Sequence, residues 1–141
     1  MTLSVRDRER FLAEPHIGAL AVAWTSDRAP LTVPTWYRYT PGGELWIHTG
    51  PDSREARAIR AAGRFSLMVQ RTEPTVRDVS VAGPVTRVAP GGPERSWEMA
   101  ARDLPPDRAA DFVEYERIQL GEHVGIRMRP DNWLSADLGS F

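Results

Sequence analysis

The chain has 141 residues and a mass of 15.8 kDa, with 41% hydrophobic and 26% charged residues, which fits one compact soluble domain over 1–141 without a bilayer-spanning segment. A formal charge of −1 gives no bulk drive toward nucleic acid or an anionic membrane. The absence of Cys removes disulfides, thiolate nucleophiles and cysteine-ligated metals, and because all 18 basic residues are Arg, Schiff-base and P-loop lysine chemistry is excluded as well.

Residues 1–10 are polar and lack the apolar core of a signal peptide, so the expected location is the cytoplasm. Ser4 with Asp7 three residues on forms a capping-box-like start, and the spacing predicts a short helix over 4–14, stopped by Glu14-Pro15. Ile17 to Trp24 is an apolar run of strand length ending in the turn Ser26-Asp27-Arg28. Leu31 to Tyr39 is β-branched and aromatic, and Thr40-Pro41-Gly42-Gly43 joins it to Glu44–Thr49 as a hairpin. Within 31–39, alternation allows Trp36 to pack inside while Tyr37 or the backbone lines a groove.

Asp52 or Ser53 can cap a second helix over 54–62, with Ala56 and Ile59 on one side. Phe65–Gln70 and Val76–Val88 read as two further strands, and Gly83-Pro84 marks a bulge or bend at a sheet edge. Residues 93–118 carry a helical pattern split by Leu104-Pro105-Pro106-Asp107, and Val124–Arg129 alternates as the last strand before Pro130. Six strands in hairpin succession with short helices inserted give a mainly β (α+β) domain, a closed or nearly closed antiparallel barrel. No G-x-G-x-x-G accompanies a βαβ unit, so a Rossmann fold is not expected.

Chemistry concentrates in residues 53–77, where Arg54, Arg57, Arg60, Arg64, Arg71 and Arg77 face only Glu55 and Glu73. An Arg cluster beginning at a helix N-terminus just after a strand suits a phosphate, and a solvated helix face explains the same charges. His16, His48 and His123 share no metal-ligand spacing and read as hydrogen-bonding histidines, so no metal site is expected. Ser4, Ser53, Ser66 and Ser80 lack a nucleophile elbow.

The segments V-P-T-W-Y-R-Y (33–39), T-G-x-x-S-R-x-A-R (49–57), R-F-S-L-M-V-Q (64–70) and V-x-G-P-V (81–85), in this order, resemble the pyridoxamine 5′-phosphate oxidase-like split β-barrel superfamily. The resemblance is stronger to its branch of flavin and deazaflavin (coenzyme F420) dependent oxidoreductases, and Pro130–Leu134 is similar to that branch's last strand. It implies a six-stranded split β-barrel and a homodimer with two cofactor sites between the copies. By position it implies that Val33, Pro34, Thr35, Trp36, Tyr37 and Arg38 line the ring edge of the cofactor, largely through backbone. His48 and Thr49 would flank its ribityl chain, Ser53, Arg54 and Arg57 would hold the phosphate, and Arg77 and Asp78 would approach the ring. Where the flavin binders commonly carry Lys after Ser-Arg, this chain has Glu55, which would repel a phosphate, while Arg57, Arg60 and Arg64 could attract the anionic tail of F420, and this favours F420 over FMN. The activity implied is hydride transfer between that cofactor and a small organic substrate, the cofactor carrying the chemistry. The alternative within the same fold is a non-catalytic carrier of a cofactor, haem or other tetrapyrrole, with His16, His48 or His123 as candidate iron ligands.

Overall fold

The computed structural model describes residues 1–91, 105, 107–108 and 123–140, so the helix pair expected over 93–118 lies outside the described residues. The elements in chain order are α1 (Val5–Ala13), β1 (Gly18–Val22), β2 (Leu31–Thr35), β3 (Tyr37–Tyr39), β4 (Leu45–Thr49), α2 (Arg54–Ala62), β5 (Arg64–Arg71), β6 (Val76–Gly91), β7 (His123–Met128) and β8 (Asn132–Gly139). The strands form one antiparallel sheet in the order β2-β1-β5-β6-β7-β4-β3, with β8 also on β6. Residue Trp36 alone joins β2 and β3, the two ends of that order, so the sheet must curl back on itself into a split, half-closed barrel.

The six expected strands are all present, and two more arise for local reasons. Leu31–Tyr39 is interrupted at Trp36, where β2 pairs with β1 and β3 pairs with β4. The segment after Pro130 continues through Gly139 as β8.

β6 is the strand that both parts of the sheet share. Arg77–Pro84 pairs with β5 on one side while Val76–Ala82 pairs with β8 on the other, and Val85–Gly91 then pairs with β7. The bend at Gly83-Pro84 therefore lies in the middle of the sheet and not at an edge as expected. It is matched by Arg129-Pro130-Asp131 between β7 and β8, where Arg129 N–H donates to the Pro84 carbonyl (3.1 Å) and Asp131 N–H to that of Ala82 (2.9 Å). A Cβ on Gly83 would lie 1.8 Å from the Arg129 carbonyl oxygen, so only glycine lets the two backbones approach this closely.

The helices begin as their sequences dictate. Ser4 Oγ accepts from Asp7 N–H and Ser53 Oγ from Ala56 N–H, each at 3.1 Å, satisfying one free amide of each first turn. Gly63 ends α2 in the left-handed region (φ 75°), and its carbonyl accepts from Val85 N–H, tying the helix end to the bend of β6. Inside the curl, Leu20, Val22, Tyr37, Leu45, Ile47, Phe65, Leu67, Val79, Val81, Ile126 and Met128 pack with Phe11 and Leu12 of α1 and with Ala56 and Ile59 of α2. Tyr37 is fully buried and its hydroxyl donates to the Leu12 carbonyl at 2.5 Å, whereas Trp36 is half-buried. This reverses the facing expected for the pair: the phenol finds a partner at the end of α1, so the ring can enter the core without leaving its hydroxyl unsatisfied.

Two polar networks pin the barrel's outside. Glu9 of α1 accepts from the Tyr39 hydroxyl (2.6 Å) and from Gly42 N–H (3.0 Å), bonds that hold its pKa below the usual carboxylate range. Burial and that same carboxylate push the Tyr39 phenol up. Asp137 of β8 accepts from Gly139 N–H, Arg77 and Thr75, and its pKa is lowered from 3.8 to about 2, the backbone bond from Gly139 contributing most. The first residues lie along β8: Asp137 N–H donates to the Met1 carbonyl (2.8 Å) and Leu3 N–H to Ser135 Oγ (3.1 Å).

Two outcomes follow for the fold. Gly83→Ala must separate β6 from the Arg129 turn, and urea denaturation will show a loss of at least about 3 kcal/mol. A carboxylate with a lowered folded-state pKa contributes stability above its ordinary pKa and loses it as pH falls through the folded value. The wild type will therefore be more stable than Asp137→Asn at neutral pH, and thermal melts will show the difference closing between about pH 4 and pH 2.

Candidate functional site

The hairpin β3–β4 and the turn into α2 bring most of the expected site residues to one end of the barrel. Tyr37 pairs with Ile47, and continuing that register one residue sets Trp36 across from His48. Thr49 follows in β4, and Gly50-Pro51-Asp52 then delivers Ser53 and Arg54 to the first turn of α2. Arg54 and Arg57 are exposed on that helix. The next two arginines are engaged: Arg60 donates to the Pro51 carbonyl (2.6 Å), and Arg64 forms an ion pair with Asp131 (3.1 Å).

β2 brings Val33, Pro34 and Thr35 alongside, each opposite a residue of β1: Leu20, Ala19 and Gly18 respectively. It ends the strand order, so among the described residues one edge of its backbone has no neighbouring strand, and Pro34, which has no N–H, is tolerated there. Thr35 Oγ1 donates to the Trp36 carbonyl at the point where the chain crosses from β2 to β3. Arg38 is exposed on the outer face of β3, while the Tyr37 side chain belongs to the core.

Arg77 and Asp78 are not brought to this cluster within one chain. They lie on β6, three strands from β2 in the sheet order, which at the usual strand spacing is about 14 Å. Arg77 is also committed to Asp137, its Nε and the carboxylate being 2.9 Å apart, and its guanidinium lies over Phe11.

The decisive contact is at the start of α2. Thr49 Oγ1 donates to the Glu55 carboxylate (3.1 Å) and lies 3.0 Å from Ser53 Oγ, which already accepts from Ala56 N–H. Glu55 thus turns inward, placing a negative charge at the positive end of the helix dipole beside Ser53, the hydroxyl expected to hold a phosphate. A phosphate seated there would meet that carboxylate within several ångströms, a repulsion of about 1 to 3 kcal/mol. The donor set consequently does not fit a terminal phosphate held on Ser53 at the start of α2. It fits an anionic group lying farther out, over the exposed Arg54 and Arg57.

His48 and His123 sit on neighbouring strands with ring centroids 4.7 Å apart, and His123 is buried. His16 is elsewhere, its Nε2 bonded to the Phe11 carbonyl at 2.9 Å. Among the described residues, no group of three or more His, Asp or Glu side chains is placed to hold a metal ion, and no helix is long and apolar enough to cross a membrane.

Sequence reasoning missed a second surface feature. Trp46, Arg127 and Arg87 are direct cross-strand partners on β4, β7 and β6, and with Ala89, Pro90 and Gly125 they line an open groove of about 150 Å³. Alternation along β4 and β7 signals that these side chains share a face, but the pairing of strands so far apart in sequence carries no local signal.

No protein-family model and no curated protein sequence matches the chain. Solved structures do share its fold. An F420 reductase superposes with a TM-score of 0.69 at 20% identity, over 89% of this chain and 94% of that one. A FAD-binding protein from Mesorhizobium loti gives 0.64 at 21% identity, over 100% and 97%. A haem-binding protein from Mycobacterium smegmatis gives 0.61 at 19% identity, over 95% of this chain and 54% of that one. The chain has the split β-barrel architecture that these proteins share, in agreement with its sequence motifs.

Replacing Glu55 by Gln removes both the favourable charge–dipole contact and the barrier to phosphate. Glu55→Gln will lose about 0.5 kcal/mol of stability. Titration calorimetry will show it binding FMN at least about fivefold more tightly than the wild type does, with riboflavin, which lacks the phosphate, unchanged.

Proposed function

We propose that the protein is an oxidoreductase that transfers a hydride between a flavin-type cofactor and a small organic substrate. The cofactor is F420 in preference to FMN, and the working unit is a homodimer with a cofactor site at each junction of the two copies. The observation that carries this reading is the inward-turned Glu55 beside an exposed Arg54 and Arg57. It disfavours a terminal phosphate on the first turn of α2 while leaving two cations for a longer anionic tail. The shared fold with an F420 reductase and a FAD-binding protein supports the cofactor class.

The bound cofactor supplies the hydride chemistry, and the chain supplies position and charge. The edge of β2 over Val33–Thr35, without a strand partner among the described residues, offers backbone groups to the polar rim of a flat ring, and Trp36 closes that end of the strand. His48 and Thr49 flank the polyhydroxylated chain, and Ser53 fixes the start of α2 so that Arg54 and Arg57 project toward the tail. Arg38 adds a cation on the β3 side. Arg77 and Asp78, remote from this cluster in their own chain, enter the site from the second copy. A cytoplasmic protein without Cys or Lys needs no nucleophile of its own for such a reaction.

A second reading, a non-catalytic haem or tetrapyrrole carrier, is favoured by one observation. The neighbouring rings of His48 and His123 stand on the same sheet, in a fold also used by a haem-binding protein.

Fluorescence-quench titrations with F420 and with FMN at two salt concentrations separate these readings. F420 binding that weakens with salt, and falls at least about tenfold in the double variant Arg54→Ala/Arg57→Ala, is the expected result. Light scattering will give twice the 15.8 kDa chain mass. Binding of neither cofactor, together with a Soret band on adding haem, would transfer the assignment to the carrier.

A further inference from the structure

We propose a second ligand site on the outer face of the β3–β4–β7–β6 portion of the sheet. It is a groove that takes a small aromatic carboxylate, with Arg87 and Arg127 holding the carboxylate and Trp46 lying against the ring.

The register assembles the groove. Arg38 pairs with Trp46, Trp46 with Arg127, and Arg127 with Arg87, so the four residues form one row across β3, β4, β7 and β6, of which the last three line the groove. The next row on the same face is His48, Gly125 and Ala89, two of which have little or no side chain, and a depression opens beside the arginines. Its volume of about 150 Å³ is the size of an apolar cavity that accepts a benzene ring.

Two features of this row are not explained by the fold. Like charges directly opposite on paired strands destabilise a sheet, yet Arg87 and Arg127 are direct partners. Among the described residues, neither forms an ion pair or hydrogen bond through its guanidinium. Glu44, on the same face of β4, accepts from Thr86. Another directly opposed pair of arginines among the described residues, Arg71 and Arg77, is compensated within the chain. Asp137 neutralises Arg77, and Thr75 binds Arg71 through its hydroxyl and carbonyl. The second feature is Gly125. A Cβ there would meet nothing closer than the Ala89 carbonyl at 3.9 Å, so packing does not demand glycine, and its effect is to leave the groove floor open.

Two adjacent guanidinium forks match the two oxygens of a carboxylate, and an indole face beside them favours a flat apolar body over a hydrated inorganic anion. The groove adjoins residues assigned to the cofactor, Arg38 beside Trp46 and His48 in the next row, but its test uses no flavin, so either reading can fail alone.

Calorimetric titration of the full chain with 2-naphthoate, 2-naphthamide, acetate and inorganic phosphate tests it. The expected result is saturable binding of 2-naphthoate at least about tenfold tighter than the other three. Arg87→Gln, Arg127→Gln and Gly125→Val should each weaken it by at least about tenfold, while Arg28→Gln, on a distant loop, leaves it unchanged. Arg127→Gln should melt at the same temperature as the wild type or higher, since it relieves a like-charge pair. Equal binding of the amide, acetate or phosphate would overturn the proposal. So would naphthoate affinity unmoved by the groove substitutions, or a lower melting temperature in Arg127→Gln.

Discussion

A sixteen-residue strand can belong to two parts of a curled sheet only if its backbone turns in the middle while keeping its neighbours in register. β6 does this at Gly83-Pro84, and the turn is possible because the Arg129 carbonyl occupies the space where any other residue would have its Cβ. Everything that positions the candidate site is referred to this contact. β5, and through it β1 and β2, hangs from the first part of β6. β7, and through it β4 and β3, hangs from the second. Gly63 links the end of α2 to the same bend, so the helix that presents Ser53, Arg54 and Arg57 is tied to the place where the sheet changes direction.

Charge is arranged locally in a chain that is nearly neutral overall. Glu55 is the acid within the run of arginines on α2, and its inward turn gives the helix start a resident carboxylate. The two Arg–Arg pairs across β6 show opposite solutions to one electrostatic problem. Where Asp137 stands by, the pair becomes part of a structural network with Thr75. Where no described acid reaches, the like charges remain beside an open groove. A protein lacking Lys has only the planar, permanently charged guanidinium for these tasks, which suits forked oxygen anions better than a point charge would.

Much of the fold was legible in the residues. Ser4 with Asp7, Ser53 before Arg54, the hairpin at Gly42-Gly43 and the alternation of β7 each announce themselves within a few positions. The grouping of Thr49, Ser53, Arg54 and Arg57 was also readable, because it depends on one short turn. What was hidden depends on tertiary choices. Alternation says that Trp36 and Tyr37 face opposite ways, but the Leu12 carbonyl, 25 residues away from Tyr37, decides that the tyrosine goes inside. The break at Trp36 could not be seen either, since β2 and β3 read as one strand until each takes a different partner. The row of Trp46, Arg127 and Arg87 needs the register of three strands that a long insertion separates.

The pairing of Met1 and Leu3 with β8 bears on how the molecule resists uncontrolled strand addition. β8 has β6 on one side, and its other edge would offer Asp137's backbone N–H to any passing strand. With Leu134 and Leu138 exposed on the same strand, that edge has the makings of an adhesive template. Met1 engages the Asp137 backbone N–H and carbonyl, and Leu3 donates to the Ser135 hydroxyl, so the first residues lie across that edge. The N-terminal segment is thus a built-in stopper against end-on sheet extension, and its removal would turn a closed edge into a sticky one.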